Sequence, residues 1–297
     1  MLSVIIPSYN DEIALPLAVA SANEIKYVNE IIIVDDFSSD GTENLVKKIK
    51  KNFEKIKYIK NPKNLGTGFS FLKGLENIKN PHVMLLNSDD FVLPKKVEKL
   101  FNFTIKNNLD LGYGKMAIKK NGGVHKYTHP GYKNYTYLYN ERNELKDLLI
   151  FDMYIPSFGS IINYESIKDF YTKKYYEDLN HDYGDAFKAH DYDLFLNLAK
   201  RKKKIGFMNE FVCVWCGKED SQSGLKYIQS GDACFESAFL FNKYYKNEIF
   251  NKESLKLIES RVLKKKIGIK KFKLQKKPAY KHYKLFLDNL KKIHNSF

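Results

Sequence analysis

Val83-Met84-Leu85-Leu86-Asn87-Ser88-Asp89-Asp90 is the stretch that decides the fold. Its apolar run follows a turn signal, Asn80-Pro81, and ends at two adjacent carboxylates. A short apolar run bounded in this way reads as a strand buried on both faces, as in a parallel sheet covered by helices. Acids at the carboxyl end of such a strand stand at the rim of the sheet, where open α/β folds bind ligands. Adjacent like charges repel unless a cation or a set of donors offsets them. A divalent metal holding a phosphate-bearing substrate is one such offset. The other reading is local, with Asp89 or Asp90 capping the helix that follows Pro94.

Working outward, strands alternate with helices. Leu2–Ile6 and Glu30–Asp35 read as buried strands, Ile56–Lys60 as a short one and His82–Asn87 as the fourth. Ile13–Ile25, Gly41–Lys51 (with Asp40 as cap) and Gly68–Ile78 carry helical spacing between them. This order predicts an α/β fold with a mostly parallel, Rossmann-like sheet, right-handed crossovers and flanking helices. After Pro94 the pattern predicts a helix to about Asn107. A hairpin follows, Leu111–Lys119 with Val124–Tyr127 around Asn121-Gly122-Gly123. Residues 130–142 are tyrosine-rich and irregular, Asp185–Arg201 reads as a helix, and Ile205–Trp215 as a strand. From about Gly231 the chain is helical and increasingly basic.

Composition limits the classes of function. The chain has 297 residues, 43% of them hydrophobic, and no apolar run of transmembrane length. It opens on a strand rather than on the basic-then-apolar layout of a signal peptide, so a cytoplasmic location is expected. Cys213, Cys216 and Cys234 fit a reducing compartment. Cys213-Val214-Trp215-Cys216 has metal-like spacing but lacks the second pair a zinc site needs, and plain buried thiols in a strand are expected. Of the net charge of +15, residues 261–292 carry +12 and the rest only +3. Basicity confined to one terminal segment, without a recognisable module, argues against nucleic-acid binding. Lysines interleaved with Val262, Leu263, Ile267, Ile269, Phe272 and Leu274 suit an anionic leaflet, at roughly 1 kcal/mol per lysine near the surface. A solvated basic helix packed on the body explains the segment equally well.

Three strand ends carry polar clusters: Pro7-Ser8-Tyr9-Asn10, Asp35-Asp36-Phe37-Ser38-Ser39-Asp40-Gly41, and Asn87-Ser88-Asp89-Asp90. In a parallel sheet these ends meet at one edge and share a cleft. Tyr9 would suit stacking on a nucleobase, and Asp36 would accept its imide N–H.

The motifs Val4-Ile5-Ile6-Pro7-Ser8-Tyr9-Asn10, Ile32 through Thr42, Asn64-Leu65-Gly66 and Leu86 through Asp90 with Pro94 resemble the family 2 glycosyltransferases. The resemblance covers residues 2–100 closely and continues more loosely to about 224. It implies a GT-A fold and a nucleotide-sugar donor, with UDP favoured because Asp36 matches the family's base-reading position. Pro7, Ser8, Tyr9, Asn10, Asp36, Asn64, Gly66, Asn87, Ser88 and Asp89 are the implied donor contacts. A divalent cation, Mn2+ or Mg2+, is implied at Asp89 or Asp90, with Asp89 favoured. Residues 1–107 then form the nucleotide-sugar half, 108–230 the acceptor and catalytic-base half of the same domain, and 231–297 a helical, basic extension. The chain departs from the family pattern at Asn87, where an acid is usual, and at Phe71 and Leu72, where Arg-Asn is common.

A second stretch, Ala189 through Ala199, reads as an amphipathic helix from Leu194 onward, with Asp191 near its N-terminus. The helix dipole favours an ionised acid there, and stabilising the helix is one sufficient reason for it. In the family a Glu-Asp pair at this point supplies the catalytic base. Asp191 matches the aspartate, and His190 replaces the glutamate. Lys218, Ser221 and Ser223 match a loop that closes over the donor diphosphate, where a solvated turn is the alternative. Ser157 and Ser160 fall in the acceptor-side segment. Tyr127, Tyr132, Tyr135, Tyr137 and Tyr139 are either a sugar-stacking surface or a packed loop.

The resemblance implies an inverting transfer from a nucleotide sugar to a glycan or lipid-linked hydroxyl in surface polysaccharide synthesis. Such an enzyme would sit in the cytoplasm, peripheral to the inner face of the membrane, and a bacterial source is expected; the Lys/Asn/Ile-rich composition fits an AT-rich genome. A nucleotidyltransferase would want a Gly-rich basic loop after the first strand, which Pro7–Asn10 is not. A catalytically silent homologue, suggested by Asn87, is the other alternative.

Overall fold

A computed structural model describes residues 1–51, 53–217, 227, 229–265 and 277–296. The strands are β1 (Leu2–Ser8), β2 (Val28–Asp35), β3 (Ile56–Lys60), β4 (His82–Leu85), β5 (Phe91–Val92), β6 (Leu111–Lys120), β7 (Gly123–Lys126), β8 (Ile161–Asn163) and β9 (Ile205–Trp215). The helices are α1 (Leu15–Asn23), α2 (Thr42–Lys50), α3 (Thr67–Leu75), α4 (Pro94–Lys106), α5 (Glu144–Phe151), α6 (Lys173–Tyr183) and α7 (His190–Lys200). They are followed by α8 (Asp232–Tyr244), α9 (Lys252–Lys264) and α10 (Tyr280–His294).

One sheet runs in the order β3-β2-β1-β4-β8-β6-β9-β5, with β7 paired to β6. The β3-β2-β1-β4 half is wholly parallel, whereas β8 joins β4 and β6 antiparallel. Alternation along the strands divides the core between the two faces. Val4, Ile6, Ile31, Ile33 and Met84 pack with Leu15, Val19, Val97 and Leu100 of α1 and α4. Ile5, Ile32, Val83 and Leu85 face the other way, onto a larger core reached by α3 and α5 through α10. Because both faces are covered, these strands read as unbroken apolar runs.

The C-terminal helices share that larger core through Phe235, Phe241, Leu255, Ile258, Phe286 and Leu290. Arg261 and Lys265 both pair with Asp152, and Lys277 and Lys188 both pair with Asp232. Part of the basic segment is therefore engaged with the body. Lys281, Lys284, Lys291 and Lys292 lie exposed on α10. Among the described residues no helix is long and apolar enough to cross a membrane.

Several expectations are corrected. The helix expected over Asp185–Arg201 begins only at His190 and is preceded by α6, which ends at Gly184 in the left-handed region (φ 85°). β4 stops at Leu85, before Asn87, because the chain turns there to bring Asp90 inward. The N-cap of α4 is Leu93, so Asp89 and Asp90 fall short of the capping position. Cys213 is buried in β9, but Cys216 is half-buried beyond its end and Cys234 is buried in a helix. The hairpin turn holds Asn121 (φ 51°) and Gly122 (φ 77°), the paired left-handed geometry of a two-residue loop.

Candidate active site

The ends of β1 and β2 are neighbours, since Ser8 pairs with Asp35 and the Asp36 N–H donates to the Ser8 carbonyl at 2.8 Å. Beyond them the loops bind each other. The Asn10 N–H donates to Ser38 Oγ at 2.9 Å, and the Ser39 N–H donates to Asn10 Oδ1 at 2.8 Å. Asn10 takes the left-handed conformation (φ 54°) that its short side chain tolerates. Ser88 Oγ donates to Asp11 Oδ2 at 2.5 Å, which ties the loop after β4 to the loop after β1. All three predicted clusters thus meet at one edge. Tyr9 and Phe37, each about half exposed (49% and 52%), stand on the rim. Ser8 is buried, and its hydroxyl has no partner among the described residues.

Asp36 is committed to its own loop. Its carboxylate accepts from Asn61 Nδ2 and the Leu65 N–H, both at 2.8 Å, and from the Gly66 N–H at 2.7 Å. Gly66 needs its missing Cβ, having φ 89°. A carboxylate has about four acceptor directions, which leaves one for a ligand N–H. Asn64 lies exposed in the pinned loop. Asp35 has a structural use, accepting from the Ser38 N–H at 2.8 Å and from the Tyr58 hydroxyl at 2.5 Å.

Asp89 and Asp90 are unlike. Asp90 is 1% exposed, with one oxygen accepting from Asn87 Nδ2 at 2.8 Å and the other from the Cys216 N–H at 2.7 Å. Asn87 therefore has a purpose where an acid is usual in the family: its amide donates to Asp90, and a second carboxylate there would repel it. Asp89 is only half-buried. No group of three or more His, Cys, Asp or Glu suited to a metal occurs among the described residues.

The first turn of α7 carries the other candidate residues, His190 and Asp191. Asp191 accepts from the Tyr192 N–H at 2.8 Å and from the Ser157 hydroxyl. Burial raises its pKa above the ordinary carboxyl value, and those two hydrogen bonds pull against the rise. His190 lies stacked on Tyr176 (centroids 4.2 Å apart) with the Phe187 edge at 5.4 Å. Burial lowers its pKa to about 3, so the ring is neutral near pH 7. Its Nδ1 is buried without a hydrogen-bond partner among the described residues. The ring also abuts Gly68 on α3, which draws the loop held by Asp36 toward Asp191.

Other candidates divide. Ser157 reaches Asp191, whereas Ser160 is buried and donates to the Pro156 carbonyl. Phe71 and Leu72 are core residues. Tyr137 is buried and bonded to Glu144, Tyr132 stacks on Phe207, and Tyr135 and Tyr139 stay exposed. Lys218, Ser221 and Ser223 lie outside the described residues. The sequence reading missed Glu236, which accepts from the Lys188 N–H at 2.8 Å and the Ala189 N–H at 3.1 Å just before α7. The available signal was an acid inside the apolar run Ala233-Cys234-Phe235-Glu236-Ser237-Ala238-Phe239, since a buried acid needs partners.

A parallel sheet half with acid clusters at its strand ends, extended by a mixed half, is the GT-A architecture. Residues 1–349 of TarS from S. aureus, in complex with UDP-GlcNAc, share it with a TM-score of 0.64 at 18% identity, over 97% of this chain and 80% of that one. The mannosyltransferase PcManGT from Pyrobaculum calidifontis, in complex with GDP-Man and Mn2+, shares it with a TM-score of 0.55 at 12% identity, over 97% and 74%. In sequence, the Escherichia coli UDP-Glc:alpha-D-GlcNAc-diphosphoundecaprenol beta-1,3-glucosyltransferase WfgD is 29% identical over 125 residues, 42% of this chain and 49% of that protein. This chain thus spans about half the length of such relatives. The family described as Glycosyl transferase family 2 matches residues 3–169, more than half of the chain, and the chain belongs to that family.

Proposed function

We propose that this protein is an inverting, metal-dependent glycosyltransferase that moves a sugar from a UDP-sugar to a hydroxyl of a glycan or lipid-linked acceptor in surface polysaccharide synthesis. The observation that carries the reading is Asp191, a carboxyl at a helix N-terminus whose pKa is lifted by burial, joined through the packing of His190 on Gly68 to the loop that Asp36 holds. A base is more effective as its pKa approaches the working pH. Asp191 takes the proton of the acceptor hydroxyl as that oxygen attacks the anomeric carbon, and Ser157 and Tyr192 hold the carboxylate in place. Attack opposite the leaving diphosphate inverts the configuration.

Tyr9 stacks on the base, Asp36 accepts its imide N–H, and Pro7, Ser8, Asn10, Asn64, Gly66, Asn87 and Ser88 line the rest of the donor. Asp89 would hold Mn2+ or Mg2+, with Asp90 fixing the turn, and a cation bound there would supply neutralisation of the charge on the diphosphate. The Mn2+ in the PcManGT complex supports a metal, and the UDP-GlcNAc in the TarS complex supports the nucleotide. A lipid-linked acceptor is supported by the diphosphoundecaprenol substrate in the name of WfgD. Residues 1–107 serve the donor and 108–230 the acceptor and base, while the exposed lysines of α10 in the 231–297 extension meet the inner face of the membrane.

The test is thermal stabilisation by UDP, GDP, CDP and ADP, each with and without Mn2+, in wild type and Asp89→Ala, together with UDP release by Asp191→Asn. Specific binding raises the melting temperature by mass action. A metal-dependent UDP shift lost in Asp89→Ala, with turnover lost and the shift kept in Asp191→Asn, supports the reading. No shift with any nucleotide from folded protein sinks the donor site.

A further inference from the structure

We infer that Glu236 is a positioning residue for the base: reaching across from α8, its carboxylate sets the orientation of the α7 turn that carries Asp191. The inference rests on the reading of Asp191 as general base. A helix start leaves several N–H groups unpaired, and a side chain at the N-cap ordinarily takes one. The N-cap of α7 is Ala189, which has no side chain to do so. Glu236 instead holds the chain that leads into the helix, accepting from the N–H of Ala189, 47 residues away, through one oxygen and from the Lys188 N–H through the other. The Tyr227 hydroxyl donates to the same carboxylate. Two amides on two oxygens fix the plane of the peptide as well as its distance, which a single bond would not.

The anchor behind this clamp is rigid. α8 is buried from Asp232 through Phe241, and Glu236 is 0% exposed. Asp232, one turn earlier on α8, holds the Lys188 side chain at 2.9 Å and also pairs with Lys277. Both the main chain and the side chain of Lys188 are therefore tied to α8, three residues before Asp191. A buried carboxylate is a costly way to gain stability when apolar packing would serve. The single Glu in this helix lies where α8 meets the start of the base helix. Burial raises its pKa, opposed by Tyr227 and the Lys188 amide.

The test is turnover measured as UDP release from UDP-Glc and UDP-GlcNAc with Mn2+, in wild type, Glu236→Gln, Tyr227→Phe and Asp191→Asn. Glutamine keeps the shape but offers one acceptor oxygen in place of two. A misplacement near 1 Å costs on the order of a hundredfold in rate. The expected result for Glu236→Gln is a roughly 10- to 100-fold fall in kcat, with donor KM and the UDP-induced melting shift unchanged. Tyr227→Phe, which leaves both amide bonds in place, shows a smaller fall in the same direction and serves if Glu236→Gln does not fold. Folded variants with kcat within twofold of wild type, or with donor binding lost in parallel, overturn the inference while leaving Asp191 as base. If Asp191→Asn turns over like wild type, or wild type releases no UDP from either donor, the parent reading fails instead.

Discussion

Gly68→Ala tests the contact between the two halves of the site. An added Cβ would lie 2.5 Å from Tyr176 Cε1 and 2.8 Å from His190 Cδ2, well inside ordinary van der Waals separation. Neither ring can retreat cheaply. Tyr176 is 1% exposed, stacked on His190 and bonded to the Tyr171 hydroxyl, and Phe187 backs the His190 ring. Overpacking of this kind costs about 1–3 kcal/mol. Against it stands the helix-propensity gain of Gly→Ala, at most about 1 kcal/mol and smaller in a first turn. Overpacking wins, and the net loss is about 1–2 kcal/mol, or roughly 2–6 °C in melting temperature for a chain of this size. Urea denaturation followed by circular dichroism measures it. Because His190 precedes Asp191, UDP release falls as well, while UDP binding holds. A variant as stable as wild type, or more stable, would show that α3 and α7 do not touch as described.

Three further outcomes are expected. Asp90→Ala strips partners from the Cys216 N–H and the Asn87 amide, and loses about 1–3 kcal/mol in urea denaturation; an unchanged midpoint contradicts the assignment of Asp90 as the brace of the loop. The pKa of Glu236 is raised by burial from 4.5 to about 7, so the folded state holds its proton more tightly than the unfolded state. The associated stability is complete below about pH 4.5 and is lost as pH rises through 7, a change of about 3 kcal/mol that Glu236→Gln lacks. Denaturation from pH 4.5 to 8.5 reads this directly, and a constant wild-type-minus-variant difference would refute it. Sedimentation with phosphatidylserine vesicles should detect binding that Lys284→Ala with Lys291→Ala weakens by roughly 2 kcal/mol, or about 30-fold. Wild-type protein left in the supernatant at low salt rejects the membrane contact.

The parallel half of the fold was legible because its strands are covered on both faces. Ile31 through Val34 are wholly buried, so burial wrote itself into the chain as an unbroken apolar run with the site residues directly after it. β8 escaped notice because three residues carry no period, and it is recognisable only from its pairing with β4 and β6. The helix expected over Asp185–Arg201 failed in its first five residues, where the N–H groups of Phe187, Lys188 and Ala189 go to the side chains of Asn180 and Glu236 instead of to a helix. The brace that Asn87 gives Asp90 was not legible, because sequence spacing compares residue types and does not show that an amide faces the carboxylate. The partners of Glu236 were hidden for the same reason at longer range: they are main-chain N–H groups, which every residue but proline possesses.

The bond from the Cys216 N–H to Asp90 spans 126 residues of chain. During synthesis the acidic turn leaves the ribosome long before its partner, and β9 must also find β6 and β5 before residue 216 arrives. Pairings this distant in sequence form late, since loop closure comes before any reward. Nascent protein would therefore carry Asp90 without the Cys216 N–H until β9 has docked. The loop that carries Asp90 is thus completed at the end of folding, although its own residues were translated early.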